Sequence, residues 1–211
     1  AASPGGGAAS RQRDHRGRRS LDRDGRARGL NAGGSGYAVG VPVLGFDPGL
    51  RITGYGCVSG DEVRPSIVEA GAIRLVPGSV VPPVADRLVE LDRDVRELIG
   101  RLRPRAVAIE GLFAHYAHPE TAIKMAHARG VILLAARQAG VRILELKPAE
   151  VKKSLTGSGR ADKAQVQESV RQLFNLEAAP KPADVADALA IAVAAMRRAA
   201  VGLGVGSRGY A

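Results

Sequence analysis

The stretch VPVLGFDPGLRITGYGCV, residues 41–58, predicts two paired strands with a carboxylate at the turn between them. Its first half is a run of apolar, β-favouring residues that ends at Asp47, where a Pro-Gly pair interrupts the pattern. Apolar side chains on both faces are typical of a strand that is covered on both sides. The second strand, residues 51–59, contains Gly54 and Gly56, which leave room for the close approach of another backbone. Asp47 is therefore expected where a buried strand meets solvent.

The rest of the chain alternates between strand and helix patterns. Further strands are predicted at residues 66–76, 106–110 and 141–146, and helices at 84–102, 120–139, 148–155, 162–174 and 183–199. The order of these elements predicts an α/β fold, with a mixed five-stranded sheet and helices on both faces. The helix over 120–139 is apolar nearly all round, so we expect the sheet on one side of it and another subunit on the other.

The composition divides the chain into three parts. Residues 1–40 are rich in Arg and Gly and show no hydrophobic periodicity, so we expect a disordered N-terminal extension, whose natural start is open to question because a misassigned initiation site would append such a segment. Residues 41–199 are expected to form one folded domain. Residues 200–211 are expected to form a flexible C-terminal tail.

The charge balance favours a polyanionic partner. The formal net charge is +10, and residues 1–40 hold eight Arg and three Asp. The folded part is therefore basic as well, which suits nucleic acid. Cys57 is the only cysteine, so no intrachain disulfide can form, and we expect it as a small buried strand residue. No apolar run is long enough for a signal peptide or a membrane span, so we expect a cytoplasmic protein that does not bind membranes.

Four acids occupy the ends of three separate predicted elements: Asp47, Glu110, and the pair Asp184 and Asp187. The last two lie three residues apart on one helix face. Carboxylates in apolar settings must be paired or must coordinate a metal, and a hard divalent cation takes oxygen ligands. Two such ions roughly 3.5–4 Å apart would support phosphoryl transfer. Taken singly, Asp47 also fits a turn cap, Asp184 a helix N-cap and Glu110 a solvated strand end.

A cluster of basic residues surrounds the loop TGSGR. Lys152, Lys153, Arg160 and Lys163 lie beside backbone amides at the predicted start of a helix, an arrangement that suits phosphate binding. A solvated basic face is an equal alternative for Lys153. The glycines do not form a P-loop, because no Gly-Lys-Ser/Thr follows them.

Aromatic residues are scarce, and two of them follow Glu110. Phe113 and Tyr116 fall in a predicted loop, where an aromatic ring could stack on an unpaired DNA base. Packing beneath the loop is the alternative for both rings, and we favour it for Tyr116. The histidines nearby have no Cys or His partner at zinc-ligand spacing, so they are expected to be polar surface or loop residues: His115, His118 and His127.

Five motifs together resemble the RuvC family of Holliday junction resolvases. They are FDPGLRITGYG, AIEGLF, AHARGVILLAA, VKKSLTGSGRADKAQVQ and ADVADALAIA, in this order between residues 41 and 198. The resemblance implies an RNase H-like fold and a homodimer that nicks two opposing strands of a four-way DNA junction with Mg²⁺ or Mn²⁺, two ions per active site. It also implies a preference for a short T-rich sequence and cooperation with the RuvA and RuvB branch-migration proteins.

The resemblance also implies roles for individual residues. Asp47 and Glu110 match the first two catalytic, metal-binding acids of the family, and Asp184 and Asp187 match the last pair. In some members a histidine stands at the position of Asp184, so the all-acid set here implies a different metal affinity or preference. Three further positions match DNA contacts of the family: Lys152, Lys163 and Phe113.

Two other functions are compatible with parts of the sequence. The pattern DPG-x-x-x-T-G also resembles the phosphate-binding hairpin of the actin and sugar-kinase superfamily, although the chain is short for two such domains and has no second hairpin of this kind. A junction-binding protein without catalytic activity is the other alternative, with the acids serving as caps. ATP turnover would favour the first, and binding without metal-dependent cutting the second.

Overall fold

The computed structural model describes residue 40 and residues 42–111 and 119–203. In chain order its elements are β1 Val43–Asp47, β2 Ile52–Gly60, β3 Pro65–Arg74, α1 Val84–Leu102, β4 Ala106–Glu110, α2 Pro119–Gln138, β5 Arg142–Leu146, α3 Pro148–Thr156, α4 Lys163–Leu173 and α5 Ala183–Leu203. These are the strands and helices that the hydrophobic patterns predict. α5 continues to Leu203, past the predicted end at residue 199, since nothing in its sequence breaks the helix there.

The five strands form one mixed sheet in the order β3-β2-β1-β4-β5. β1, β2 and β3 pair antiparallel along the hairpins, whereas β4 pairs parallel with both β1 and β5. The prediction of a mixed five-stranded sheet is confirmed. Because β1 and β4 are parallel neighbours, their carboxyl ends lie at the same edge of the sheet.

Helices cover both faces of the sheet, and strand alternation decides which side chain joins which core. In β1, Val43 packs toward the helices α3, α4 and α5, whereas Leu44 and Phe46 pack toward α1 and α2. Side chains two residues apart share a face. Asp47 therefore points to the same face as Val43, which is the face that α5 covers.

Glycines allow α5 to lie directly on β1 and β2. A Cβ atom at Gly45 would be 2.4 Å from the carbonyl oxygen of Ala188, and one at Gly54 would be 2.0 Å from that of Asp184. Both distances are shorter than any contact a real side chain makes, so these positions require glycine. The close backbone approach predicted at Gly54 is confirmed, and it brings the first turn of α5 over the end of β1.

α2 has one buried and one exposed apolar face. Ala128, Ile132 and Ala136 are buried in the core that α1 and the sheet share. On the other side, Ile123 and Leu134 are 57% and 53% exposed. Among the described residues, no helix is both long and apolar enough to cross a membrane. Ile123 and Leu134 thus mark an apolar face of α2 that the described part of the chain leaves exposed.

Candidate active site

Asp47 and Glu110 lie side by side where two neighbouring strands end. β1 and β4 pair in parallel, with Phe46 opposite Ile109, and each carboxylate is the next residue along its strand. Ala108, two residues before Glu110 on β4, belongs to the core beneath α5. Because side chains two residues apart on a strand share a face, Glu110 is directed to the α5 face as well. The strands thus present two acids on one face at one edge.

The turn after Asp47 is held by two side chains. The hydroxyl of Thr53 donates to the carbonyl of Gly49 at 2.7 Å and accepts from its amide at 3.2 Å. From α1, the Arg87 guanidinium donates through Nη1 to the carbonyl of Leu50 at 2.7 Å. Both Thr53 and Arg87 are buried. They fix the path of the chain as it leaves the carboxylate.

α5 supplies the second pair of acids. Asp184 and Asp187 lie one turn apart on the same helix face. The carbonyl of Asp184 faces Gly54, and Gly54 is paired with Asp47 across the β1–β2 hairpin. The glycine that permits close packing therefore also determines where the helix begins relative to Asp47.

The electrostatics couple these acids to one another. Burial, followed by the negative charges of Asp187, Asp184 and Glu110, raises the pKa of Asp47 to about 7 against the opposing effect of Lys163. Burial and then the charge of Asp187 raise the pKa of Glu110 as well. Carboxylates that disfavour one another's ionisation are neighbours in a region of low dielectric. The predicted convergence of the four acids on one site is consistent with these interactions.

Two lysines compensate part of this charge. The ammonium of Lys163, at the start of α4, forms an ion pair with Asp187 at 2.7 Å. Burial raises the pKa of Asp187, whereas this ion pair lowers it. Lys152 on α3 lies close enough to Glu110 to lower its pKa. The lysines that match DNA contacts of the resembled family thus border the carboxylates.

The donor set suits hard divalent cations. Within the described residues, no three acidic, histidine or cysteine side chains already surround one metal-sized position. Lys163 instead neutralises Asp187, and the raised pKa of Asp47 shows that negative charge at the site is not fully compensated. Carboxylate oxygens without zinc-type ligands favour Mg²⁺ or Mn²⁺. The residues present therefore fit the metal that the sequence predicts.

The TGSGR loop is ordered by its own side chains. Gly157 ends α3 with a φ of 80°, and the Thr156 hydroxyl accepts from the amide of Ser158 at 3.1 Å. The start of α4 is capped by Asp162, whose carboxylate accepts from the amide of Gln165 at 2.8 Å. The helix amides expected to bind phosphate are therefore partly satisfied by this carboxylate. The basic side chains are therefore the more available donors for the predicted phosphate contact.

Some of the remaining predicted residues are described by the structure, and others lie outside its described part. Lys153 and Arg160 are exposed, and no contact connects them with the carboxylates. His127 is exposed on α2, as a surface residue should be. Cys57 is fully buried, and burial raises the pKa of its thiol to about 12. Four residues of the loop after Glu110 lie outside the described residues: Phe113, His115, Tyr116 and His118.

Sequence reasoning missed the buried arginines that support the site. Arg87 and Arg129 belong to helices on the face opposite α5, and each donates to a backbone carbonyl near a carboxylate-bearing strand end. An arginine at a helix position that faces the core was the available signal, because a buried guanidinium needs hydrogen-bond acceptors. The pattern alone did not indicate which acceptors those are.

The comparisons with known proteins all point to one family. The family model described as crossover junction endodeoxyribonuclease RuvC matches residues 43–195. The protein of that name from Rhodopirellula baltica is 45% identical over 151 residues, which cover 72% of this chain and 83% of the relative. The Rubrobacter xylanophilus protein of the same name is 46% identical over 166 residues, covering 78% of this chain and 90% of the relative.

Solved structures agree with the sequence relatives. The structure described as T. thermophilus RuvC in complex with Holliday junction substrate is 35% identical, has a TM-score of 0.70, and is matched over 77% of this chain and 96% of its own. The yeast mitochondrial Holliday junction resolvase Ydc2 is 16% identical with a TM-score of 0.54, over 79% of this chain and 83% of its own, and shows the fold alone. The predicted RNase H-like fold is confirmed.

Proposed function

Because this chain belongs to the RuvC family of crossover junction endodeoxyribonucleases, we propose that it cleaves four-way DNA junctions by hydrolysing phosphodiester bonds. The observation that carries the proposal is the meeting of carboxylates from β1, β4 and α5 at one edge of the sheet. Their mutual effect on pKa shows a site with excess negative charge. Such a site suits divalent cations and, through them, a phosphate.

The acids would hold two Mg²⁺ or Mn²⁺ ions. Asp47 neighbours Glu110 on the adjacent strand and the pair Asp184 and Asp187 on the covering helix, which supports a role for it in holding both ions. When bound, the metal ions supply an activated water and stabilise the leaving oxygen. The protein contributes the fixed positions of its carboxylates, on two strands and one helix that are anchored in the core.

Basic residues would hold the DNA backbone beside the acids. Lys152 and Lys163 border the carboxylates, so they suit the phosphates next to the cleaved bond. Lys163 is 62% exposed even while it is paired with Asp187, so a phosphate can reach it from solvent. Lys153 and Arg160 are also exposed and would contact more distant phosphates. Phe113 is proposed to stack on an unpaired base.

A homodimer would place two such sites on one junction. The exposed face of α2 offers Ile123, Ala126, Gly130 and Leu134, which are spaced to lie along one stripe. Small residues in such a stripe allow two helices to approach closely. Symmetric nicking of two opposing strands then follows from the two-fold axis. In the cytoplasm, RuvA and RuvB would supply the junction by branch migration.

Cleavage of a synthetic junction tests the proposal. The purified full chain is incubated with a mobile four-way DNA junction, with Mg²⁺, with Mn²⁺ and with a chelator. Paired nicks at symmetric positions, only when metal is present, are the expected result. Binding without cleavage at every junction sequence would contradict the nuclease and favour a binding protein, and ATP turnover would favour the kinase-like alternative.

A further inference from the structure

Arg129 of α2 contacts the peptide that follows the second acid of the site. Its Nε donates to the carbonyl oxygen of Glu110 at 3.3 Å. Its Nη2 forms an ion pair with Glu145 of β5. The side chain is only 14% exposed, so this guanidinium is held between α2 and the ends of two strands.

The contact completes the anchoring of one peptide group. The carbonyl of Glu110 and the amide of Gly111 belong to the same planar unit. The amide donates to the carbonyl of Leu146 at 2.8 Å, while the carbonyl accepts from Arg129. With both groups hydrogen-bonded, rotation of this plane is resisted, and the backbone that carries the Glu110 side chain is constrained with it. The last residue of β4 thereby keeps its position where the strand ladder ends.

We propose that Arg129 is a positioning residue that orients Glu110 and connects it to the outer face of α2. This inference rests on the proposed nuclease function, because it assigns Glu110 a role in cleavage. Arg129 lies next to Gly130, which belongs to the exposed stripe of α2. A rigid arginine fork can contact a carbonyl and a carboxylate together, which a single ammonium group does less well. A displacement of α2 would therefore reach Glu110 through one side chain.

A purely structural role makes a different prediction. Glu145 is 56% exposed, and an ion pair with such a partner contributes little to folding stability. If Arg129 only stabilised the fold, its loss would affect the thermal midpoint and turnover in parallel. If it orients Glu110, its loss lowers turnover while the fold and junction binding are retained.

The experiment compares Arg129→Gln with Arg129→Lys and with Arg93→Gln. Arg93 lies on α1, is 70% exposed and forms an ion pair with Asp94, so it is a matched control for the same change in charge outside the α2 stripe. Four quantities are measured for each full-length variant: kcat at saturating junction, junction Kd in a chelator, Mn²⁺ affinity by calorimetry, and Tm. Sedimentation velocity reports the oligomeric state.

For Arg129→Gln we expect kcat to fall at least tenfold and Mn²⁺ affinity to fall several-fold, with junction Kd within twofold of the original. Arg129→Lys should recover part of kcat, and Arg93→Gln should match the unmodified chain. Equal kcat and Mn²⁺ affinity in Arg129→Gln and Arg93→Gln would overturn the inference, as would a loss explained by dimer dissociation or a lower Tm. An inactive unmodified chain would instead contradict the proposed nuclease function.

Discussion

At the scale of single residues, the unfavourable free energy of burying negative charge at the site is concentrated at Asp47. The side chain is largely buried and lies among three other carboxylates, with Lys163 as the cation that offsets them. A buried charge of this kind is unfavourable for the folded chain and favourable for any divalent cation that binds there. The same residue therefore destabilises the metal-free protein and, in the proposed function, would bind the metal.

Asp47→Asn tests this residue directly. We expect the loss of metal-dependent cleavage, because the amide cannot replace an anionic ligand between two ions. Junction binding in a chelator should be unchanged or stronger, since a negative charge near the phosphates is removed. The exposed Glu177→Gln is the matched control and should cleave normally. Cleavage by Asp47→Asn at the original rate would show that Asp47 is not a catalytic ligand.

The pKa of Asp47 also predicts how stability changes with pH. The folded state keeps a proton on Asp47 up to about pH 7, whereas the unfolded chain releases it near its ordinary value of 3.8. Its contribution is therefore fully present below 3.8 and is lost as the pH rises through about 7. In a chelator, Asp47→Asn should become more stable than the original chain by about 1–3 kcal/mol between pH 4 and pH 8. Urea unfolding at both values measures this, and a constant difference would contradict it.

At the scale of elements, the packing of α5 on the β1–β2 hairpin decides where the acids meet. α5 is buried along most of its length, and the acids occupy half-buried positions in its first turns. The glycines of β1 and β2 bring the helix backbone against the strands. The geometry of the site is thus a consequence of helix–sheet packing, and a change in that packing should reach the chemistry.

Gly54→Ala tests the packing. The added methyl group would lie 2.0 Å from the carbonyl oxygen of Asp184, so α5 must shift away from β2. We expect a loss of about 1–3 kcal/mol in the free energy of unfolding and a larger proportional loss of cleavage. Gly100→Ala is the control, because its Cβ would meet nothing within 4 Å and lies in α1, where alanine is favoured. Normal cleavage and stability in Gly54→Ala would contradict the proposed dependence of the site on this contact.

Patterns in the sequence could predict the elements but only part of the site. A carboxylate at the end of an apolar run, as at Asp47 and Glu110, indicates a strand tip, because the run itself marks the strand. Contacts such as Arg129 with the Glu110 carbonyl were not predictable, since they depend on how α2 crosses the sheet. The pairing of Lys163 with Asp187 was missed for the same reason: the lysine is on α4 and the acid on α5.

At the scale of the whole molecule, the proposed symmetric cleavage would require two copies of the site. The chain covers one face of α2 with the sheet and α1, while Ile123 and Leu134 on the other face are more than half exposed. Exposed apolar residues of this size along a helix favour association with a second protein surface. A symmetric dimer through α2 would join this surface to the site through Arg129.

Leu134→Asp tests the dimer. A charge at the centre of an apolar helix contact is costly to bury, so we expect a folded monomer with little symmetric resolution of junctions. Val89→Asp on α1 is the control, because Val89 is 72% exposed and lies outside the α2 stripe. Sedimentation equilibrium and the ratio of paired to single nicks measure the outcome. A Leu134→Asp protein that remains dimeric would show that α2 does not form the interface.

The most direct measurement of the central claim is the anomalous diffraction of manganese in crystals of the full chain grown with Mn²⁺. The account predicts manganese density bounded by the carboxylates of β1, β4 and α5, with Lys163 no longer paired with Asp187. Manganese bound elsewhere, or bound with Asp47 or Glu110 outside its coordination sphere, would contradict the claim that these acids form one metal-binding active site.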